Sequence, residues 1–306
     1  MSALAPSTVV PPTPSKSNTC AVVVTYHPDA DFPSRLLALA GEVDRVVIVD
    51  NGSTEEARSM LRSLVRIGSI ELLENSGNLG IATALNQGAR RAAALGYAWV
   101  LTMDQDSAAG PGMIAGLAAT RSACPFREQV GLVAANFVDP AFGLLFARGR
   151  RGAAFIEQPA AITAGSLLSV AAFQSAGAFR DDFFIDFVDN EYGLRLRRRG
   201  YRVIYSGRPL FEHAIGAPKR YRLLWMRPAS SNHSPLRRYY ITRNRLVTDW
   251  TYFTREPRWV MADFYRFLGE AFLMVLFEEQ KLAKIAAVLR GTWDAMRGRM
   301  GKQPPV

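Results

Sequence analysis

A chain of 306 residues, 49% of them hydrophobic, can build one large or two smaller α/β domains with a sizeable core. Two cysteines, Cys20 and Cys124, are too few and too far apart for a disulfide framework or a zinc site, so a reducing, cytoplasmic setting is the default. Of the net charge of +10, residues 192–245 alone carry +13 (fourteen Arg or Lys against Glu212), a block suited to phosphates or anionic lipid; without a nucleic-acid-binding motif beside it, nucleic acid is a minor option and a solvated helix face the plain alternative.

Residues 1–18 are rich in Pro, Ser and Thr and lack a continuous apolar run, which predicts a disordered tail and not a signal peptide. Residues 20–25 form an uninterrupted apolar strand that Tyr26-His27-Pro28 ends. A helix over 33–39 leads to a second strand, 46–49, which runs into Asp50-Asn51-Gly52-Ser53. An amphipathic helix over 55–65, a strand over 70–73 and an Ala-rich helix over 81–95 follow, then a strand from Trp99 to the Asp104-Gln105-Asp106 triplet. Short apolar strands alternating with helices predict a mostly parallel sheet covered on both faces. Further strands are expected over 131–137, 162–170 and 201–205, with a helix over 186–199 closed by Gly200. After Gly207 the pattern changes to basic loops and helices, a C-terminal extension. Within it, residues 259–277 come nearest to a membrane span, but Asp263, Arg266 and Glu270 interrupt them. That stretch packs in a core, joins a homo-oligomer interface or lies on a membrane surface.

Asp104 and Asp106 emerge at the C-terminal end of a parallel strand, where open α/β sheets bind ligands. Two such carboxylates suit Mg²⁺ or Mn²⁺, whose remaining ligands come from water and substrate phosphates. Asp50 ends a neighbouring strand and can accept from a ribose hydroxyl or from the N3–H of uracil or thymine. The loop Asn75-Ser76-Gly77-Asn78-Leu79-Gly80 opens a helix and offers close backbone approach and free N–H groups to an anion, although its glycine spacing is not a dinucleotide fingerprint. Asn86, inside that helix, points to a polar task. Asp186, Asp189 and Glu191 stand among Phe, Ile and Val, so a partly desolvated general base is expected there. His213 and the run Arg238-Tyr239-Tyr240-Ile241-Thr242-Arg243-Asn244-Arg245 are candidates for a diphosphate, with structural packing as the alternative for each.

In order along the chain, residues 22–26, 49–53, 75–88, 102–107, 184–200 and 238–246 resemble the inverting family 2 glycosyltransferases of GT-A fold, and most of all bacterial L-rhamnosyltransferases of surface polysaccharide synthesis. The resemblance spans roughly residues 19 to 250. It implies a Rossmann-like, mostly parallel mixed sheet over 19–215, with a nucleotide-binding half to about 107, an acceptor half beyond it and a helical extension over 216–306. By the same resemblance Thr25, Tyr26 and Asp50 line the nucleoside pocket with Asn78 and Gly80 nearby. Asp104 and Asp106 hold a divalent metal, Asp106 the more directly, and His213 and Arg243 meet the diphosphate. The family's base lies in a Glu-Asp pair; here Val188-Asp189 stands at that place, which makes Asp189 the base and Asp186 and Glu191 its acceptor-binding neighbours. The implied donor is dTDP-L-rhamnose, with UDP-sugars next, and the acceptor a saccharide or a lipid-linked sugar. A sugar-phosphate nucleotidyltransferase is the enzymatic alternative, but it needs an early Gly-rich loop with Lys or Arg. A degenerate scaffold or polysaccharide-binding subunit is the other, and the intact acids speak against it.

Overall fold

A computed structural model describes residues 10–139, 144–150, 152–212, 219–220, 229–230 and 232–303. They fall into two compact units, Met1–Asp181 with Asp189–His213, and Asp182–Val188 with Ala214–Val306.

The first unit is built on an eight-stranded sheet. Its strands are β1 (Thr19–Thr25), β2 (Arg45–Asp50), β3 (Ile70–Glu74) and β4 (Trp99–Asp104), followed later by four more. After the short β5 (Ala108–Ala109) come β6 (Val130–Asn136), the β7 (Val138–Asp139) and β8 (Leu144–Leu145) pair, β9 (Phe155–Glu157), β10 (Ser166–Ser169) and β11 (Arg202–Pro209). The sheet order is β3-β2-β1-β4-β10-β6-β11-β9, and β10 and β9 run antiparallel to their neighbours. Because β2 and β4 flank β1, the chain winds outward from β1 in both directions, which opens a crevice at the C-terminal ends of β1 and β4. Register brings Thr25 opposite Asp50 and Val24 opposite Asp104 at that edge.

Both faces are covered, as the continuous apolar runs demand. Ala21 and Val23 of β1 join a core with Phe32, Leu36 and Leu39 of α1 (Phe32–Glu42), Leu61 of α2 (Glu55–Leu64) and Leu117 of α4 (Met113–Ser122). On the other face α3 (Ile81–Ala94) packs so closely that a Cβ on Gly88 would lie 2.3 Å from Val22 Cγ1. The buried alanines of α3, Ala84, Ala89 and Ala92 among them, let the helix approach the sheet. Burial lifts the Cys20 thiol to about 12, so this free cysteine is inert.

Two expectations change here. Residues 10–18 are not a loose tail: the Trp99 indole donates to Pro12 O at 2.9 Å, Arg121 Nη2 to Pro11 O at 3.3 Å and Lys16 Nζ to Gly41 O at 2.7 Å. The helix expected from Asp186 begins at Val188 instead, as α6 (Val188–Arg198), because Asp186 and Phe187 adopt left-handed backbone with φ of 64° and 63°.

The second unit is helical, with α7 (Pro235–Tyr252), α8 (Pro257–Phe277) and α9 (Lys281–Met296). It also takes in residues 182–188, which sequence reasoning assigned to the catalytic domain. Asn244 of α7, wholly buried, donates from Nδ2 to the carbonyls of Phe183, Ile185 and Asp186 at 2.8–2.9 Å and so holds the left-handed turn.

Candidate active site

The crevice edge is organised around a buried carboxylate. Asp50 is completely buried, and its carboxylate accepts from Thr25 Oγ1 at 3.1 Å, Ser53 N at 3.0 Å, Ser53 Oγ at 2.5 Å and Arg58 Nε at 3.4 Å. Four donors fill what a carboxylate can accept. Asp50 therefore braces the pocket wall; the expected hydrogen bond from a base or ribose to this group is corrected. Thr25 is buried with it, whereas Tyr26 stands 47% exposed at the mouth.

Gln105, the middle residue of the D-x-D triplet, is a member that sequence reasoning missed. Its amide clasps the Tyr26 backbone from both sides, accepting from Tyr26 N at 2.8 Å and donating to Tyr26 O at 3.2 Å. Arg35 Nε in turn donates to Gln105 O at 3.0 Å. The loop after β1 and the loop after β4 are thereby locked together.

The Gly/Asn loop is held by amides. Asn51 Nδ2 donates to Asn78 Oδ1 at 3.1 Å, Asn51 Oδ1 accepts from Leu79 N at 3.0 Å, and Asn75 and Gln87 exchange two bonds at 2.8 and 2.9 Å. Gly52 requires its hydrogen: at φ 92° a Cβ there would sit 2.5 Å from Gly77 C. Gly80, at φ 91°, turns the loop into the N-terminus of α3, whose free N–H groups favour an anion. Asn86 has a purely structural task. Fully buried, it donates to Phe179 O at 2.8 Å and Asp181 Oδ1 at 2.7 Å and accepts from Phe179 N at 2.8 Å.

Three acids converge at the crevice. Asp104 ends β4 half-buried, Asp106 is exposed in the following turn, and Asp189 lies half-buried in the first turn of α6. Burial pushes the Asp104 carboxyl up to about 7, reinforced by the charges of Asp106 and Asp189. The surplus of negative charge is what a hard cation would relieve. Among the described residues no group of three or more His, Cys, Asp or Glu side chains could hold a metal by itself. Two carboxylates with water and phosphate completing the shell fit Mg²⁺ or Mn²⁺ better than a closed protein cage.

Other expected members are engaged elsewhere. Glu191 is 4% exposed and pairs with Arg195 at 2.8 Å, so it is not free for an acceptor. Asp186 belongs to the helical unit, where Arg237 holds its carboxylate through Nε at 3.2 Å and Nη2. Arg243, expected at the diphosphate, is fully buried in that same unit. It donates to Gly301 O at 2.7 Å and to Asp182 O and Phe183 O at 3.2 Å, and its guanidinium stacks over Tyr240 at 5.0 Å. A guanidinium sealed among carbonyls and rings does not present itself to a phosphate, so that expectation is corrected too. His213 lies outside the described residues; it directly follows β12 (Phe211–Glu212), whose backbone pairs with β5 beside the D-x-D turn.

Known proteins share this pattern. The family model "Glycosyl transferase family 2" matches residues 21–122, from β1 to the end of α4. The dTDP-rhamnosyl transferase RfbF of Shigella flexneri is 28% identical over 245 residues, covering 76% of this chain and 79% of that protein. The N-acetylglucosaminyl-diphospho-decaprenol L-rhamnosyltransferase of Mycobacterium tuberculosis is 27% identical over 225 residues, 60% of this chain and 72% of its own. Among solved structures, Staphylococcus aureus TarS 1–349 superposes with a TM-score of 0.57 over 92% of this chain and 82% of its own at 15% identity. The mannosyltransferase PcManGT of Pyrobaculum calidifontis, solved with GDP-Man and Mn²⁺, does so at 0.56 over 95% and 90%, also at 15% identity. These two likenesses establish the GT-A fold.

Proposed function

We propose that this chain, a family 2 glycosyltransferase, moves L-rhamnose from dTDP-L-rhamnose to a hydroxyl of a saccharide or lipid-linked acceptor and inverts the anomeric carbon. The observation that carries the reading is the position of Asp104 at the end of β4 beside the crevice, with Asp106 in the next turn and Asp189 close enough for the charges of both to act on Asp104. The donor follows the names of the two relatives, one a dTDP-rhamnosyl transferase and the other an L-rhamnosyltransferase. The latter's name also favours a lipid-linked acceptor over a free sugar.

Tyr26, just past the end of β1, with Asn78 and Gly80 at the head of α3, would line the nucleotide pocket, while Thr25 stands behind it holding Asp50. Asp104 and Asp106 would hold Mg²⁺ or Mn²⁺ on the donor diphosphate, where the ion offsets charge on the leaving group. Asp189 is the proposed general base. It takes the proton of the acceptor hydroxyl as that oxygen bonds to the anomeric carbon, and the bond from that carbon to the phosphate oxygen breaks, releasing dTDP with the electron pair. A single displacement inverts the centre.

A thermal-shift screen of dTDP, UDP, GDP, ADP and CDP, each with and without Mn²⁺, tests the reading. A ligand at a hundred times its Kd adds about 2.7 kcal/mol to stability. The largest shift should come with dTDP and Mn²⁺, UDP next, and Asp106→Ala should lose the Mn²⁺-dependent part. GDP as the most stabilising nucleotide, or equal shifts with and without metal, would overturn the assignment.

A further inference from the structure

In the helical unit, α8 and α9 each bury one face and leave an apolar stripe on the other. On α8, Val260, Asp263 and Met274 are buried. Met261, Phe264, Tyr265, Leu268, Phe272 and Val275 are 43–65% exposed and recur at the three- and four-residue spacing of one helical side. On α9, Lys284, Gly291 and Asp294 are buried, whereas Leu282, Leu289, Trp293 and Met296 are 48–84% exposed, again along one stripe. Contiguous apolar faces of this kind mark interaction surfaces.

Charge indicates what covers them. Residues 250–303 contain nine Lys or Arg and six Asp or Glu. Folding buries three of those acids, Asp263, Glu278 and Asp294, but only one cation, Lys284. Eight cations remain exposed, and by helical spacing Arg258 borders the α8 stripe while Arg290 and Arg297 border that of α9. Arg297 lies over the Trp293 ring at 4.1 Å, an aromatic and a cation facing outward together. No helix among the described residues is long and apolar enough to cross a bilayer. A second copy docked by two-fold symmetry would set one cationic rim against its twin.

We propose that α8 and α9 dock this chain on an anionic bilayer surface, their apolar stripes entering the headgroup boundary and their Arg and Lys residues meeting the phosphates. The full chain is sedimented with phosphatidylcholine vesicles with and without phosphatidylglycerol, at low salt and at about 1 M salt, where the Debye length is about 3 Å. Two variants with exposed replacements accompany it, Phe272→Glu/Leu282→Glu and Arg290→Glu/Arg297→Glu, each checked for an unchanged melting profile. The parent should sediment with anionic vesicles at low salt and less at high salt. The first variant should lose roughly tenfold or more of its partitioning, and the second its preference for phosphatidylglycerol. A parent that stays in the supernatant with anionic vesicles, or variants that bind as it does, would overturn the proposal. So would a solution dimer that Phe272→Glu converts to monomer, since the face would then belong to a second copy. Nucleotide-dependent stabilisation reports on the sheet unit and separates a failure here from a failure of the proposed function.

Discussion

Replacing Asn86 by alanine should loosen the segment that leads to the proposed base. Three hydrogen bonds at 2.7–2.8 Å tie Asn86 to Phe179 and Asp181, and the chain runs on from Asp181 to Asp189. The two bonds with the Phe179 backbone are worth about 1 kcal/mol each, and the bond to the Asp181 carboxylate about 1.5 kcal/mol at the low end for a charged acceptor, because Asp181 is exposed. The sum is about 3.5 kcal/mol, before any added cost of leaving Phe179 N without a partner. At about 2–4 °C per kcal/mol for a domain of this size, the sheet unit of Asn86→Ala should melt roughly 7–14 °C lower. Differential scanning calorimetry reads this directly, with Arg90→Ala, an exposed change on the same helix, as a control within about 0.5 kcal/mol. If Asn86→Ala melts within about 2 °C of the parent, the three bonds do not hold the segment and the reasoning fails.

Gly88→Ala drives a Cβ into Val22 and should cost about 1–3 kcal/mol by the same calorimetry; a neutral result would mean α3 can lift off the sheet freely. Arg243→Leu removes three hydrogen bonds to backbone carbonyls, leaving Gly301 O without its guanidinium donor while Asp182 O and Phe183 O keep backbone or Asn244 donors, and should lower the melting temperature of the helical unit, yet leave dTDP affinity by titration calorimetry unchanged; a tenfold loss of affinity would restore Arg243 to the diphosphate. Burial, then the neighbouring Asp263, pushes Asp249 up to about 7, and its Oδ1 is buried without a hydrogen-bond partner among the described residues. The folded state therefore holds a proton that the unfolded chain releases near pH 4, so this group's contribution is full below pH 4 and lost as pH rises through 7. Asp249→Asn should accordingly gain on the parent at pH 8 and lose that advantage at pH 4; urea melts showing a pH-independent difference would contradict it.

The strands were legible because apolar runs of four to seven residues ended at polar turns, and β1, β2 and β4 occupy nearly the expected positions. Elements without periodicity were not. α4 is buried on several sides, including Gly116, Thr120 and Arg121, and its sequence shows no amphipathic stripe. β9 is only three residues long and owes its strand geometry to pairing with β11. At the site, the position of Asp104 and Asp106 at a strand end could be read locally. The burial of Arg243 could not, since its carbonyl acceptors lie about sixty residues away; Asp50 draws three of its four donors from nearby Ser53 and Arg58, and only Thr25 comes from a distant segment. Gln105 gave one usable signal: an amide between two acids on a turn is placed to bind backbone. The start of α6 was misjudged because the left-handed turn at Asp186 and Phe187 is imposed by Asn244, almost sixty residues away.

Asp189 is proposed to remove the acceptor proton at a site where Asp104 and Asp106 would hold the donor. The most direct measurement is transfer from dTDP-L-rhamnose to polyprenyl-diphosphate-linked sugars by the parent and by Asp189→Asn, with dTDP affinity measured in parallel. Turnover should fall roughly 10²-fold or more in the variant while dTDP affinity stays at the parent value. Near-parental turnover in Asp189→Asn, or a loss of activity explained wholly by lost dTDP binding, would contradict the account.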